Sequence, residues 1–209
     1  MTKAAFTPIR LSLFGFLAVL VLTWFCYRPA LSGDFQLDDI PNLAGLAAID
    51  DFSSAADFVL SGTAGPSGRP LALLTFALQA EHWEQSAEAF LRVNILIHLL
   101  NALLLAACLY QLTLQQSIER DKAVIVATAA AACWVSMPLL ASASLLVVQR
   151  MATLSSFFIL LGLAGYLLAR RRIDVAPRSA LVWMTLSLGA GTVLATLSAV
   201  TRKHTKNAR

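Results

Sequence analysis

Val93–Ile118 reads VNILIHLLNALLLAACLYQLTLQQSI, a run without one Asp, Glu, Lys or Arg, set between Arg92 and Glu119. Its length decides its reading. About 20 apolar residues in helical form cross the ~30 Å of bilayer hydrocarbon, and a soluble core helix is seldom that long without a charge. An ionised side chain at mid-bilayer costs about 3 kcal/mol on insertion scales, so charge-free runs mark spans. Four more lie outward from this one: between Arg10 and Arg28, Lys122 and Arg150, Arg150 and Arg170, and Arg178 and Arg202. The fold class expected is all-α, a polytopic transmembrane bundle forming a single membrane domain over 1–209. Its spans fall at about 11–28, 92–114, 122–141, 150–169 and 179–200, with an outer loop over 31–90 and a basic tail over 201–209.

The first run is the shortest, and a cleaved signal peptide is its competing reading. Trp24, Phe25, Cys26 and Tyr27 make its end bulky, and Arg28-Pro29 follows in place of a small-residue cleavage site. An uncleaved anchor with both flanking arginines snorkelling is therefore expected.

Composition agrees with the spans. The hydrophobic fraction of 58%, mean hydropathy of +0.71 and only 13% charged residues exceed what one soluble core can hide. A net charge of +4 raises the question of nucleic acid, but the basic residues stand at the ends of apolar runs and form no patch, so no nucleic-acid partner is expected. Cys26, Cys108 and Cys133 all sit inside apolar runs with no CxxC pair, which excludes a disulfide scaffold. HExxH, GxSxG, P-loop and GxGxxG strings are absent, removing the usual support for zinc, serine-hydrolase, nucleotide and dinucleotide chemistry.

Orientation follows from the bases. Lys3 and Arg10, Arg120 and Lys122, and Arg170, Arg171, Arg172 and Arg178 fall on one side, which the positive-inside tendency makes cytoplasmic. The N-terminus is then cytoplasmic, and a bacterial inner membrane is the expected location. The opposite side carries nine of the twelve acids, among them Asp34, Asp38, Asp39, Asp50 and Asp51. Five crossings leave the tail Arg202–Arg209 outside, against the same tendency, so one run is re-entrant or the tail is not a natural end. In the outer loop, Asp50–Val59 predicts a short surface helix capped by Asp51 or Ser53. Ser61–Pro70, rich in Gly and Pro, reads as a turn, and Leu71–Ala80 as an interfacial stretch.

Asp38 and Asp39, in GDFQLDDIPN, stand about ten residues past the first span. Adjacent carboxylates at the rim of the hydrocarbon can take a proton from a hydroxyl or hold a divalent cation against a phosphate. The ordinary alternative is a solvated turn with one Asp capping the next helix. Arg150, in VVQRM after Gln149, can fork onto a lipid phosphate or simply snorkel at a helix end. Arg69 can serve the same anion or form a surface ion pair. Asn94, His98 and Asn101 share one face of the second span and are read as interhelical packing contacts that support the site from behind.

Several strings taken together resemble a known family: FQLDD at 35–39, GRPL at 68–71 leading to TFAL at 75–78, NILIHLLNAL at 94–103, Pro138-Leu139, and VVQRM at 147–151. In this order they are similar to the membrane part of proteins that couple a GT-C-type glycosyltransferase core to tetratricopeptide repeats, such as the transmembrane and tetratricopeptide-repeat O-mannosyltransferases. The resemblance covers most of residues 11 to 200. It implies inverting transfer of a sugar from a polyprenyl-phosphate donor to a protein or glycan acceptor on the outer face. It makes Asp39 and Asp38 the candidates for the base or a cation-assisted acceptor site, and Arg150 and Arg69 the candidates for the donor phosphate. His98, Asn94, Asn101 and Gln149 become supporting residues, membrane lipid and other membrane subunits partners, and a divalent cation the one cofactor to consider.

The chain also departs from that family. Met137 stands before Pro138 where relatives carry a His, and Ala141–Ser144 holds no acid where some relatives have one. A Ser-Lys-Glu string expected after the fifth span is missing, and the repeats do not follow, so a truncated core is expected. The alternative function is a non-catalytic anchor, scaffold or partner subunit. A transporter is disfavoured because the spans hold no ionisable group but His98 and no inverted repeat.

Overall fold

The structure, a computed structural model, describes residues 8–61 and 69–199. Lys3, most of the Ser61–Pro70 turn and the 201–209 tail lie outside the described residues. All regular structure among the described residues is helical. Five helices run lengthwise: α1 (Pro8–Tyr27), α5 (Glu88–Gln115), α6 (Arg120–Val135), α8 (Arg150–Arg170) and α9 (Pro177–Ala199). Four short ones, α2 (Asp39–Leu43), α3 (Phe52–Ser61), α4 (Pro70–Ala77) and α7 (Leu139–Leu145), gather with 3₁₀ turns at Arg28–Ser32, Ala44–Ala48 and Ala80–His82.

The charge-free runs account for the long helices. α1, α5, α8 and α9 are each long and apolar enough to cross a membrane. The run expected to span 122–141 as one helix is instead two. α6 has 16 residues, about 24 Å of rise, and α7 leaves it at 69° after Ser136–Pro138. Pro138 explains the break: its ring has no N–H to donate and drives Met137 out of helical geometry. Counted as one broken span, the pair brings the candidate crossings to five.

The long helices pack as a row, α1 against α6, α6 against α5, α5 against α8, and α8 against α9. α5, in the middle, buries Ile95, Ile97, Ala102, Ala106 and Cys108. The outermost helices leave apolar side chains bare, Leu17, Leu22 and Phe25 on α1 and Leu181, Trp183 and Leu186 on α9. Exposure on that scale suits an apolar surrounding, not water. α8 and α9 approach closely through glycine: a Cβ on Gly162 would lie 2.9 Å from Gly191 Cα, and one on Gly191 would lie 2.8 Å from Phe158 O. Small residues at such a crossing let two backbones meet, which maximises van der Waals contact.

The short helices close one end of the row, where α1 ends and α5 and α8 begin. Leu43, Leu46, Phe58, Leu73, Phe76, Trp83, Phe90, Val147 and Met151 form its core. The described residues of the acidic segment therefore pack onto the bundle. α3 begins where expected, and Asp51 is its cap: Oδ1 accepts the Ser54 N–H at 2.7 Å, and Ser54 Oγ accepts the Asp51 N–H at 3.0 Å. The backbone and hydroxyl bonds from Ser54 hold the Asp51 carboxyl below its ordinary range. α4 opens on Pro70, whose missing N–H costs nothing in a first turn, and buries Ala72, Leu73 and Phe76.

Candidate functional site

Asp39 starts α2, but its side chain reaches across the fold. It is 1% exposed, with Oδ2 accepting the Gln36 N–H at 2.9 Å and Oδ1 accepting the Val148 N–H at 2.7 Å. The first bond closes the turn over Leu37, whose φ of 31° lies in the left-handed region. The second ties α2 to the turn between α7 and α8, 109 residues away. Both oxygens are thus committed to backbone donors.

The same turn is held from its other side by α5. Asn94, fully buried, donates through Nδ2 to Leu146 O at 2.9 Å and Val147 O at 3.2 Å, while its Oδ1 accepts from Arg150 Nε at 2.8 Å. Arg150 is 0% exposed. Its remaining nitrogens donate to Thr75 O at 3.2 Å and Phe90 O at 2.8 Å, and its guanidinium lies 4.4 Å from the Phe76 ring centre and 5.7 Å from that of Phe90. No ion pair to Arg150 occurs among the described residues. Backbone carbonyls, an amide oxygen and two ring faces compensate this cation, consistent with a buried charge needing several partners at once. The expected snorkelling at a helix end is absent: Arg150 turns inward. So placed, its fork grips protein acceptors; the phosphate contact expected of it is not available without rearrangement.

Three other expected residues do meet. Asp38, Arg69 and Gln149 line one cavity of ≈ 280 Å³ with Asn42, Val148, Met151 and Ala152. Asp38 is exposed there, and its backbone carbonyl accepts from Asn42 Nδ2 at 2.6 Å. Arg69 lies half-buried with one terminal nitrogen against Met151 Sδ, and its buried Nε has no hydrogen-bond partner among the described residues. A guanidinium nitrogen without an acceptor costs free energy until an anion or water supplies one. The cavity thus presents a carboxylate and a cation that make no ion pair among the described residues, beside a turn held by Asp39 and Asn94.

The polar face of α5 divides by depth. His98 Nε2 lies 3.3 Å from Val135 O, at the end of α6, and its ring stacks on Tyr27 at 5.9 Å and tilts against Trp134 at 5.1 Å. Asn101 Nδ2 donates to Thr153 O at 3.0 Å, joining α5 to α8. Asn94, His98 and Asn101 therefore each bond to a different segment packed on α5, and of the three it is Asn94 that bonds to the turn carrying Val148 and Gln149.

No group of three or more His, Cys, Asp or Glu among the described residues is placed to hold a metal ion. Among the described residues Asp38 is the only carboxylate lining the cavity, a donor set that fits a protein-held divalent cation poorly. Reading the sequence missed Thr75 and Asn42. Thr75 stood in the quoted string TFAL and Asn42 four residues after Asp38, a helical step that puts both on one side of α2. Comparison with known protein families, with curated proteins and with solved structures gives no match.

Proposed function

We propose that the chain is a GT-C-like membrane glycosyltransferase module that moves a sugar from a polyprenyl-phosphate donor to an acceptor on the non-cytoplasmic face. The observation that carries it is the joint lining of one cavity by Asp38, Arg69 and Gln149, at the end of the bundle where the acidic segment packs. The opposite end holds Arg10, Arg120, Lys122, Arg170, Arg171, Arg172 and Arg178, which favours a cytoplasmic placement of that end, of the N-terminus, and an inner-membrane location.

Glycosyl transfer to a hydroxyl needs a base for the acceptor and a counter-charge for the departing phosphate. Asp38 takes the acceptor proton as the hydroxyl oxygen attacks the anomeric carbon opposite the phosphate. The carbon–oxygen bond to phosphate breaks, the phosphate leaves with the electron pair, and Arg69 balances its charge. Gln149 offers an amide to the sugar hydroxyls. Asp39 and Arg150 act as positioning residues, fixing the turn Leu146–Gln149 that forms one wall.

In membranes supplied with polyprenyl-phosphate sugar and acceptor, wild-type protein should transfer and Asp38→Asn should lose at least about 100-fold in rate, the scale of removing a general base, at unchanged melting temperature. Equal rates in both proteins would end the proposal. A second reading, a non-catalytic anchor or partner subunit, draws on a separate observation: the two residues the family resemblance emphasises most, Asp39 and Arg150, spend their hydrogen bonds on protein groups. Binding of the donor without turnover, in both proteins alike, would favour it.

A further inference from the structure

α8 and α9 touch at Gly162 and Gly191 and are still tight at Gly165, where a Cβ would lie 2.8 Å from Ser187 Cβ. Beyond Gly165, toward Arg171 and Ser179, a wedge of ≈ 740 Å³ is lined by residues of both helices. Leu168, Ala169, Ala180 and Trp183 line it together with Arg171 and Arg172, which directly follow the last residue of α8. Arg171 gives one nitrogen to Gln111 Oε1 at 3.1 Å, which fixes its direction, and no ion pair to Arg171 or Arg172 occurs among the described residues. A solvated helix end would need the arginines alone. It would not need an apolar slot beneath them with an exposed indole on its wall.

We propose that this wedge binds one anionic glycerophospholipid, its phosphodiester on Arg171 and Arg172 and an acyl chain lying along Leu168 and Trp183 toward Gly165. The charge complementarity at the rim selects the sign of the headgroup, and the apolar depth selects a lipid over free phosphate. Trp183 suits the wall because an indole covers acyl chain with a wide rigid face. The site lies at the end opposite the Asp38 cavity and is independent of any transferase activity; it rests only on the reading of the bundle as membrane-embedded.

Trp183 supplies the test. Full-length protein is reconstituted in phosphatidylcholine vesicles carrying a fixed fraction of either brominated phosphatidylglycerol or brominated phosphatidylcholine, and the fluorescence of wild type is compared with that of Trp183→Phe. The difference isolates Trp183. Brominated phosphatidylglycerol should quench it several-fold more effectively than brominated phosphatidylcholine. Arg172→Gln should cut that preference roughly by half, and the Arg171→Gln, Arg172→Gln pair should abolish it, with helical circular dichroism unchanged. Arg172→Gln, which breaks no hydrogen bond of the fold, keeps the test informative should the double variant misfold. Equal quenching by both lipids would overturn the proposal while leaving the bundle in the bilayer. Quenching of no tryptophan by either lipid would remove the membrane reading and this site with it.

Discussion

Arg150 at one end of the bundle and the arginine pair Arg171 and Arg172 at the other are held in opposite ways. Arg150 is wholly buried, held by Asn94, Thr75 and Phe90 and faced by two phenyl rings, whereas Arg171 and Arg172 stand exposed at the mouth of an apolar wedge. A buried guanidinium with satisfied donors fixes geometry, because any movement strands it and its acceptors without hydrogen bonds. An exposed guanidinium fixes little: Arg171 spends one nitrogen on Gln111 and Arg172 makes no ion pair among the described residues, so both keep donors for a ligand. The same contrast recurs between neighbours, since Asp39 ties α2 to the α7–α8 turn while Asp38 faces the cavity with its carboxylate unspent.

The largest expected effect breaks the buried end. Arg150→Met leaves Asn94 Oδ1 and Thr75 O without their guanidinium donor, removes the second bond to the helical carbonyl of Phe90, and should cost about 3 kcal/mol, read as a fall in melting temperature in detergent. Arg172→Gln at the open end should leave the melting temperature in place. Next, Asp39→Asn replaces an acceptor of two backbone N–H groups by an amide that can accept only one well. It should cost about 2 kcal/mol, against less than about 0.5 kcal/mol for Asp38→Asn. Finding the two equal in stability would dissolve the distinction between positioning and exposed carboxylate.

A smaller effect is expected where the row of helices is tightest. Gly191→Ala puts a methyl 2.8 Å from Phe158 O, so α8 and α9 must separate; about 1 kcal/mol of stability should go, and the lipid preference at Trp183 should weaken with it. The smallest concerns α3. Asp51 has its folded pKa held below the ordinary 3.8, so its stabilisation is fully present above that value and is lost as pH falls through the lower folded one. Amide exchange at Ser54 should therefore stay protected at pH 5 and rise only in acid below about pH 4, relative to the intrinsic rate. Loss of protection between pH 5 and 7 would contradict the cap.

Much of the architecture could be read before folding. Charge-free runs placed α1, α5, α8 and α9 to within a few residues, since a helix apolar enough to cross a membrane carries its charges at or near its ends. Pro138 was visible in the sequence, yet the 69° turn it introduces required knowing that α7 packs against α5 and not straight on from α6. The site was legible as a set of residues and not as an arrangement. Asp38 and Asp39 are chemically alike in the string FQLDD, and only the Val148 N–H, supplied from 109 positions away, makes one of them structural. Arg150 posed the same difficulty: a cation at a helix start usually snorkels, and the ring faces of Phe76 and Phe90 that draw it inward belong to other helices. The asparagine stripe of α5 was the exception, because polar groups at such depth have few options beyond bonding to a neighbouring helix.

Which side of the membrane the Asp38 cavity faces is the premise of the whole account. Asp38→Cys, made in a chain whose exposed Cys26 and Cys133 are replaced by serine, can be treated with a membrane-impermeant maleimide in intact spheroplasts and in inverted vesicles. Labelling in spheroplasts and protection in inverted vesicles is the predicted result. Labelling confined to inverted vesicles would put Asp38, Arg69 and Gln149 on the cytoplasmic side and contradict transfer on the outer face.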